Sequence, residues 1–398
     1  MGTIRILLLS FEMIALTVAL TAQPTSLRAA WTATDGFRDA TFCTFDAANY
    51  QGMIDDETRT PVYAEALHRA IAPRPGELVV LDIGTGPEAL LALMAARSGA
   101  KKVYAIEASP AVATLARDAV AAAGYTEVVE IIHGFSTEVS LPEKADLLVA
   151  EIVGSVASDE GLYATMHDAQ QRHLKRPHDP MSYIPRMVET WCAPASYALH
   201  HPALGPAGFD WEAVRRDGPP PRFACSDPTV QPLAQPCLLE QIRFGCGEML
   251  PSPGSRLRRR IDFVVSTERM REVEQMIAEE LSRVGCPADQ RKRISHEVAS
   301  SVSGIAMWPR LVLGEEDDEA LHIESRGADG RPRRSHWQVH MPLLCACPQQ
   351  VTAGDRIRVD STIDTGGRVN IPVKYALDVH FLSTVSDVSC VTGEQAQS

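Results

Sequence analysis

The sequence lacks the cysteine patterns that mark metal sites and disulfide frameworks. Its 398 residues include nine cysteines, an odd number, with no CxxC pair and no paired Cys/His spacing of the zinc type. The closest pair, Cys345 and Cys347, alternates within an apolar stretch. We therefore expect no metal site, and we interpret the cysteines as free thiols in a reducing compartment.

An excess of positive charge is also absent. Lysine and arginine number 38 against 51 aspartates and glutamates, which gives a formal net charge of -13. Such a surface does not favour tight non-specific binding to nucleic acid, and we expect no specific nucleic-acid partner. It does favour the attraction of cationic partners, such as arginine-rich or lysine-rich tails.

The apolar run at the N-terminus is short for a membrane-spanning helix. Ile6–Leu20 is interrupted by Glu12, whereas a spanning helix needs about 20 apolar residues. With Arg5 before it and small residues after it, the run resembles a signal peptide or a short anchor. Two interpretations stay open: a cytoplasmic or nuclear protein, and a protein targeted or anchored through this segment.

The first half of the chain alternates strands with helices. Its 45% hydrophobic content is that of a globular protein, and its length suits two or three domains. Apolar runs predict strands at residues 78–83, 102–107, 128–133 and 146–152, with helices at 89–98 and 109–123 between them. This alternation favours a doubly wound parallel α/β sheet within residues 41–190.

The second half shows short strands separated by turn residues. The candidates are residues 238–244, 260–265, 305–313, 336–343, 356–363 and 369–381. The basic cluster Arg256–Arg260 is interpreted as a solvated loop. The pattern favours a mostly antiparallel β-barrel or sandwich over residues 191–398, which leaves residues 1–40 as a signal-like or disordered segment.

A helical insertion near residues 267–303 interrupts these strands. Between Thr267 and Val284, apolar residues recur at helical spacing. Ser266 or Thr267 can cap the start of this helix, and Gly285 can end it. The apolar stripe either packs onto the barrel or forms a dimerisation arm, and we favour packing onto the barrel.

A glycine turn and a carboxylate indicate a nucleotide site in the first half. Gly84-Thr85-Gly86 lies between a strand and a helix, where glycine lets a ligand approach the backbone and the helix N-terminus adds partial positive charge. Glu107 ends the second strand, where a carboxylate can accept hydrogen bonds from both ribose hydroxyls. This geometry serves NAD and S-adenosylmethionine alike. Ala89, in place of the third glycine of G-x-G-x-x-G, favours a methyltransferase.

Four segments together resemble the protein arginine N-methyltransferases, which are class I S-adenosylmethionine-dependent enzymes. They are residues 53–60, residues 80–86 with 104–107, residues 150–160, and residues 335–338. In the third segment two glutamates nine positions apart match the family's double-glutamate hairpin, and Ser335-His336-Trp337 resembles its Thr-His-Trp loop. The resemblance implies a Rossmann-like domain that binds S-adenosylmethionine, followed by a substrate-binding barrel.

The resemblance assigns the cofactor to side chains of the first half. It implies that Arg59 binds the methionine carboxylate, a bidentate task that suits a guanidinium. It also implies that Glu138 faces the adenine amino group. The other predicted cofactor-binding residues are Asp82, Gly84, Gly86 and Glu107.

The same resemblance implies the catalytic residues. Glu151 and Glu160 would hold the substrate guanidinium, orient its planar fork and draw charge away from the attacking nitrogen, without serving cofactor binding. His336 would pair with Asp56, either as a proton relay or as a latch. The predicted substrate-binding residues are Met53 and Trp337.

Three functions remain open. The first is methylation of arginine-containing protein substrates by an enzyme that forms a homodimer, as is usual in this family. The second is a class I methyltransferase for a small molecule or another side chain, and the third is a weakly active, cofactor-binding interaction protein. A nucleobase amino-methyltransferase is disfavoured because Glu151-Ile152-Val153-Gly154 replaces the Asp/Asn-Pro-Pro-aromatic motif after the fourth strand.

Overall fold

The parallel sheet predicted for the first half is present. The computed structural model describes residues 26–33, 47–217, 219–247, 249–327, 329–366 and 372–382. Five parallel strands lie in the order β4-β3-β2-β5-β6. They are β2 (Val79–Ile83), β3 (Lys102–Glu107), β4 (Val129–His133), β5 (Leu147–Ala150) and β6 (Tyr183–Ile184).

Five helices accompany this sheet. They are α1 (Ala47–Ile54), α2 (Thr60–Ile71), α3 (Leu90–Arg97), α4 (Pro110–Ala122) and α5 (Leu162–Arg172). Strands β2 and β5 are buried along their whole length, which explains their mostly apolar sequences, with Asp82 as the polar exception in β2. The chain runs from β2 outward to β4, then returns to β5 on the other side of β2. The strand order therefore reverses between β2 and β5, where open α/β sheets bind their ligands.

The second half consists of antiparallel sheets. One sheet has the order β1-β18-β17-β11, and a larger one has the order β10-β7-β13-β15-β8, with β14 beside β13 and β9 beside β7. The strands are β1 (Ser26–Thr32), β7 (Met187–Tyr197), β8 (Arg222–Ala224), β9 (Val230–Pro232), β10 (Cys237–Arg243), β11 (Arg256–Val264), β12 (Ser301–Val302), β13 (Gly304–Val312), β14 (His322–Glu324), β15 (Gln338–His340), β16 (Gln349–Gln350), β17 (Arg356–Asp364) and β18 (Lys374–Leu382). Since the two main sheets do not join into one ring, the arrangement is a half-barrel.

Three helices belong to the second half: α6 (Trp211–Asp217), α7 (Thr267–Arg283) and α8 (Ala288–Ala299). Helices α7 and α8 form the predicted insertion, and Ser266 caps α7 by accepting a hydrogen bond from the Arg269 amide. Three apolar residues of α7, Val273, Ile277 and Leu281, are buried in the core of the half-barrel, and Met270 and Met276 pack against that core while partly buried. The stripe therefore packs within the chain, as favoured from the sequence.

Strand β1 corrects part of the expectation for the N-terminal segment. It pairs with β18 along its whole length, beginning with Ser26 opposite His380. This stretch is neither signal-like nor disordered, because Ala29 and Trp31 are buried in the core of the half-barrel. The signal-like run Ile6–Leu20 lies outside the described residues.

One further expectation differs from the structure. The cluster Arg256–Arg260 is the start of β11 rather than a loop. The last parallel strand ends at Ile184, and β7 begins at Met187 and pairs with β13 and β10 of the antiparallel sheet. Within the described residues, no helix has the length and apolar character needed to cross a bilayer.

Candidate active site

The glycine turn lies at the point where the strand order reverses. Ile83 at the end of β2 pairs with Ala150 at the end of β5, so the turn and the segment after β5 start side by side. We call residues 151–160 the glutamate loop. A Cβ on Gly84 would lie 3.0 Å from Cγ2 of Ile152, so turn and loop are in contact. Gly84 and Gly86 have φ angles of 76° and 68°, a region that favours glycine.

Glu107 is tied to the glycine turn. It ends β3, is buried, and accepts hydrogen bonds from the Gly86 amide at 3.1 Å and the Ser109 amide at 2.9 Å. Burial raises the pKa of this carboxyl, and the backbone hydrogen bonds oppose that rise. The predicted cofactor residues Gly86 and Glu107 therefore form one unit.

Asp82 lies beneath the turn rather than on its surface. It is fully buried in β2 and accepts a 2.6 Å hydrogen bond from the Thr85 hydroxyl. Burial raises its pKa to about 7. Its observed contact therefore supports the turn from below.

Arg59 and Glu151 form a buried ion pair across the site. Nη2 and Nε of Arg59 donate to Oε2 of Glu151 at 2.7 and 3.1 Å, and Nη1 donates to the Met53 carbonyl at 3.3 Å. Burial lowers the pKa of Arg59, but the Glu151 charge outweighs it and the pKa is raised. The phenol of Tyr63 lies under this guanidinium and donates to the Ala150 carbonyl. From the sequence, Arg59 was predicted to bind the cofactor and Glu151 to bind the substrate, so their direct pairing was not predicted.

Asp56 joins the segment between α1 and α2 to the His-Trp loop of the half-barrel. Its Oδ2 accepts from Nδ1 of His336 at 2.7 Å and from the His336 amide at 2.8 Å. Its Oδ1 accepts from the amide and hydroxyl of Thr58. Burial alone would raise the pKa of Asp56, yet these hydrogen bonds hold it well below its usual range.

Trp337 is a buried anchor in this structure. Only 4% of the residue is exposed, and its indole Nε1 donates a 2.7 Å hydrogen bond to the Val153 carbonyl of the glutamate loop. The Trp337 ring lies 3.9 Å from the His336 ring, centroid to centroid. The His-Trp loop thus holds both Asp56 and the glutamate loop.

The remaining predicted residues are less buried than Asp56, Arg59 and Glu107. Glu160 is half-buried and ends the glutamate loop, directly before the N-terminus of α5. Glu138 is exposed in the turn that follows β4. Met53 is half-buried, and its carbonyl accepts hydrogen bonds from Arg59 and Thr60.

A buried polar network that was not predicted from the sequence lies behind the glutamate loop. Ser158 contacts a fully buried carboxylate of β10 and a tyrosine of β18. The members are Ser158, Tyr163, Thr190, Glu240 and Tyr375. Since these side chains come from five separate elements, no short motif could have indicated them.

Within the described residues, no group of side chains has the composition of a metal centre. The histidine, cysteine, aspartate and glutamate side chains of that part of the chain do not gather into a possible ligand set. All seven cysteines it contains are free thiols.

The sequence is similar to methyltransferases. The profile of the ribosomal protein L11 methyltransferase family (PrmA) matches residues 60–162. The chain is 36% identical over 154 residues to the protein arginine N-methyltransferase PRMT10 of Oryza sativa subsp. japonica, which covers 38% of this chain and 39% of that one. It is 37% identical over 127 residues to an arginine N(omega)-methyltransferase of Streptomyces achromogenes subsp. streptozoticus, covering 31% and 34%. The chain thus spans about two fifths or less of the length of these relatives.

Solved structures extend the similarity to most of the chain. A Trypanosoma brucei PRMT1 enzyme-prozyme heterotetrameric complex with AdoHcy aligns with a TM-score of 0.59 at 18% identity, covering 85% of this chain and 94% of that one. Arabidopsis thaliana protein arginine methyltransferase 10 aligns with a TM-score of 0.55 at 19% identity, covering 85% and 98%. The resemblance seen in the sequence is confirmed: the chain has the fold of the protein arginine N-methyltransferases and is a homologue of them over 154 residues.

Proposed function

We propose that this chain transfers a methyl group from S-adenosylmethionine to a guanidino nitrogen of arginine in protein substrates. The observation that carries the proposal is Glu151, a buried carboxylate at the strand reversal that already holds a guanidinium, that of Arg59, through Oε2. Its Oε1 accepts a 3.4 Å hydrogen bond from the Val153 amide. This second oxygen can accept a hydrogen bond from a substrate guanidinium.

The residues around the glycine turn fit S-adenosylmethionine. Arg59 offers a guanidinium for the carboxylate of the methionine part. Each oxygen of Glu107 accepts one backbone hydrogen bond and keeps lone pairs for the ribose hydroxyls. Gly84 is exposed, which leaves its backbone open to approach. When bound, the cofactor supplies a methyl group on an electron-poor sulfonium.

Positioning does most of the chemistry in such an in-line displacement. The arginine nucleophile is protonated and delocalised, so Glu151 and Glu160 are proposed to fix its plane and draw charge from the attacking nitrogen. The new N–CH3 bond forms as the S–CH3 bond breaks, and the attacking nitrogen releases one proton to solvent. We assign a latch to Asp56 and His336, because Oδ2 of Asp56 accepts hydrogen bonds from both the ring and the amide of His336 and so joins the segment between α1 and α2 to the His-Trp loop.

A second candidate keeps the reaction and changes the substrate to arginine itself. The similarity to a relative named arginine N(omega)-methyltransferase favours it. The two candidates share the glutamate loop and differ in whether the half-barrel must bind a polypeptide. An assay that offers free arginine and an arginine-containing peptide in parallel distinguishes the two candidate functions.

The test is incubation with labelled S-adenosylmethionine and three acceptors: an arginine-rich peptide library, free arginine, and a matched lysine-rich library. We expect methylated arginine in the first, identified by mass. Glu160→Gln should lower turnover about a hundredfold, as expected for a preorganised electrostatic group, while calorimetry shows cofactor affinity nearly unchanged. Glu127→Gln, on the exposed turn before β4, is the matched control and should behave as wild type.

Glu160 is a cleaner test than Glu151. Glu151→Gln removes the charged partner of the buried Arg59, so it should weaken cofactor binding as well as turnover. Product on free arginine alone would favour the second candidate. Wild-type turnover by Glu160→Gln on every accepted arginine substrate would exclude both.

We further propose that two copies of this chain assemble into a homodimer in the cytoplasm. The structural neighbour from Trypanosoma brucei is a heterotetrameric complex, which supports oligomerisation in general. The free thiols of all seven described cysteines support a reducing compartment.

A further inference from the structure

A buried chain of hydrogen bonds ties the middle of the glutamate loop to the half-barrel. The Ser158 hydroxyl donates to Oε1 of Glu240 at 2.7 Å and lies 2.8 Å from the Tyr375 hydroxyl. Since the single proton of Ser158 is used on Glu240, Tyr375 is the donor in the second contact. Tyr163 donates to Oε1 of Glu240 at 2.9 Å, and Thr190 donates to Oε2 at 3.1 Å.

The loop has a second contact with the same network. The backbone amide of Ala157 donates to the Thr190 hydroxyl at 2.9 Å. Two consecutive loop residues, 157 and 158, are thus held by strands β7, β10 and β18. Both are fully buried, and Glu160 follows two residues later.

A β-bulge turns Glu240 inward. The pairing of β10 with β7 shifts between Leu238 and Glu240, so Leu239 has no partner of its own. Leu239 and Glu240 are consequently both buried, although neighbours in a regular strand point to opposite faces. Bulges that re-aim a side chain are frequent beside active sites.

A buried carboxylate at position 240 is unfavourable for the stability of the fold. Burying an ionised group costs free energy that hydrogen bonds only offset, and an apolar side chain of similar volume is often at least as stable. Burial raises the pKa of Glu240, and the hydroxyl donors oppose that rise. The arrangement supplies a fixed direction for three hydroxyl groups, one of which belongs to the loop.

We propose that Glu240 is a positioning residue for methyl transfer: through Ser158 it fixes the glutamate loop so that Glu160 stays in register with Glu151. This inference rests on the proposed function. Glu240 accepts hydrogen bonds from Ser158, Tyr163 and Thr190, so its effect passes through the loop backbone. Loss of the anchor should therefore lower kcat while leaving the cofactor site intact.

The experiment compares Glu240→Gln, Glu240→Met and Ser158→Ala with the control Glu189→Met. Glu189 neighbours the network on β7, is equally buried, and bonds Trp191, Gln241 and Arg310 instead of the loop. Glu240→Gln keeps an oxygen for Ser158 and Tyr163 and should retain kcat within about threefold. Glu240→Met and Ser158→Ala should each lose about tenfold or more in kcat, with cofactor affinity within about twofold.

Hydrogen exchange of the loop amides 156–160 provides a readout without catalysis. Exchange should accelerate about tenfold or more in Glu240→Met and Ser158→Ala, and remain at the wild-type rate in Glu189→Met. Ser158→Ala leaves Glu240 with two donors, so it keeps the test valid where Glu240→Met does not fold. If the wild type methylates no arginine, the proposed function fails while the exchange data still test the anchor. Unchanged kcat and unchanged exchange in Ser158→Ala would overturn this inference.

Discussion

Glu107 is the side chain on which cofactor affinity should depend most at the scale of single residues. Glu107→Ala removes a charged acceptor for the ribose and frees the Gly86 and Ser109 amides. We expect S-adenosylmethionine binding to weaken by about 1–3 kcal/mol in calorimetric titration. Glu130→Ala is the control, since that glutamate is exposed on the edge strand β4 and pairs with Lys102. Unchanged affinity in Glu107→Ala would remove this residue from the cofactor site.

The hydrogen bonds of ionised Asp56 to His336 and Thr58 should make the unfolding free energy depend on pH. The pKa of Asp56 is depressed in the folded chain, so its stabilising effect is complete above the unfolded pKa of about 3.9 and is lost as pH falls below it. Asp56→Asn removes the charge that accepts from His336 and Thr58, and should cost about 1.5–3 kcal/mol of unfolding free energy at pH 7.

Denaturant unfolding from pH 7 down to pH 3 measures this difference. The gap between wild type and Asp56→Asn should narrow as the pH falls below about 4. Asp118→Asn, an exposed aspartate of α4, should show no such gap. A gap that is constant across this pH range would argue against an ionised Asp56 in the latch.

Some contacts between single residues could be predicted from the sequence, and others could not. The Asp56–His336 contact was implied by the resemblance, and the two side chains do meet at 2.7 Å. The Arg59–Glu151 pair was not foreseen, because a pattern assigns each charge a ligand but cannot show that two charges 92 positions apart face each other. The catalytic roles of these residues stay predictions.

At the scale of elements, Gly154 controls the shape of the glutamate loop. A Cβ at this position would lie 1.5 Å from Oδ1 and 2.6 Å from Cγ of Asp159, a side chain that is itself buried. Gly154→Ala should therefore displace the loop, cost about 1–3 kcal/mol of stability and reduce turnover strongly.

A double-mutant cycle separates this clash from other effects. Asp159→Ala removes the atoms that the new methyl group would meet, so the pair Gly154→Ala/Asp159→Ala should lose less stability than the sum of the single variants. Thermal or denaturant unfolding of the four proteins measures the coupling. If the losses of unfolding free energy in the two single variants add up to the loss in the double variant, the predicted clash between a methyl group at position 154 and the Asp159 side chain does not occur.

Elements with an apolar signal were predictable, and those stabilised by distant charges were not. The runs behind β2, β3 and β5 predicted their strands within one or two residues, because burial on both faces requires continuous apolar sequence. Strand β11 begins in the arginine cluster Arg256–Arg260, whose charge is typical of a solvent-exposed loop. Arg256 and Arg260 pair across the sheet with Asp364 and Asp360 of β17, and the sequence does not show which acidic residues will be opposite.

At the scale of the whole molecule, the proposed homodimer has a direct test. Multi-angle light scattering should give twice the chain mass of 43.3 kDa at micromolar concentration. The apolar stripe of α7 is buried within its own chain, so the partner must contact another surface. Leu281→Ala should therefore lower stability by about 2–5 kcal/mol without selectively dissociating the dimer. A mass of one chain for the wild type would exclude the homodimer.

Strand β1 also has a consequence for the order in which the molecule is made. It is the earliest strand in the described chain, yet its hydrogen bonds join Thr32 to Lys374 and Ser26 to His380, in the strand made last. On the ribosome, the parallel sheet can fold as soon as β6 emerges, since domains fold as units during synthesis. Until β18 has been synthesised, the apolar face of β1, including Trp31, lacks the Tyr375 ring on which it stacks in the folded chain. Contacts so distant in sequence form slowly, and an unpaired strand edge is prone to aggregation. Pausing translation before β18 should therefore leave a nascent chain with a folded parallel sheet and a half-barrel that a protease still cleaves.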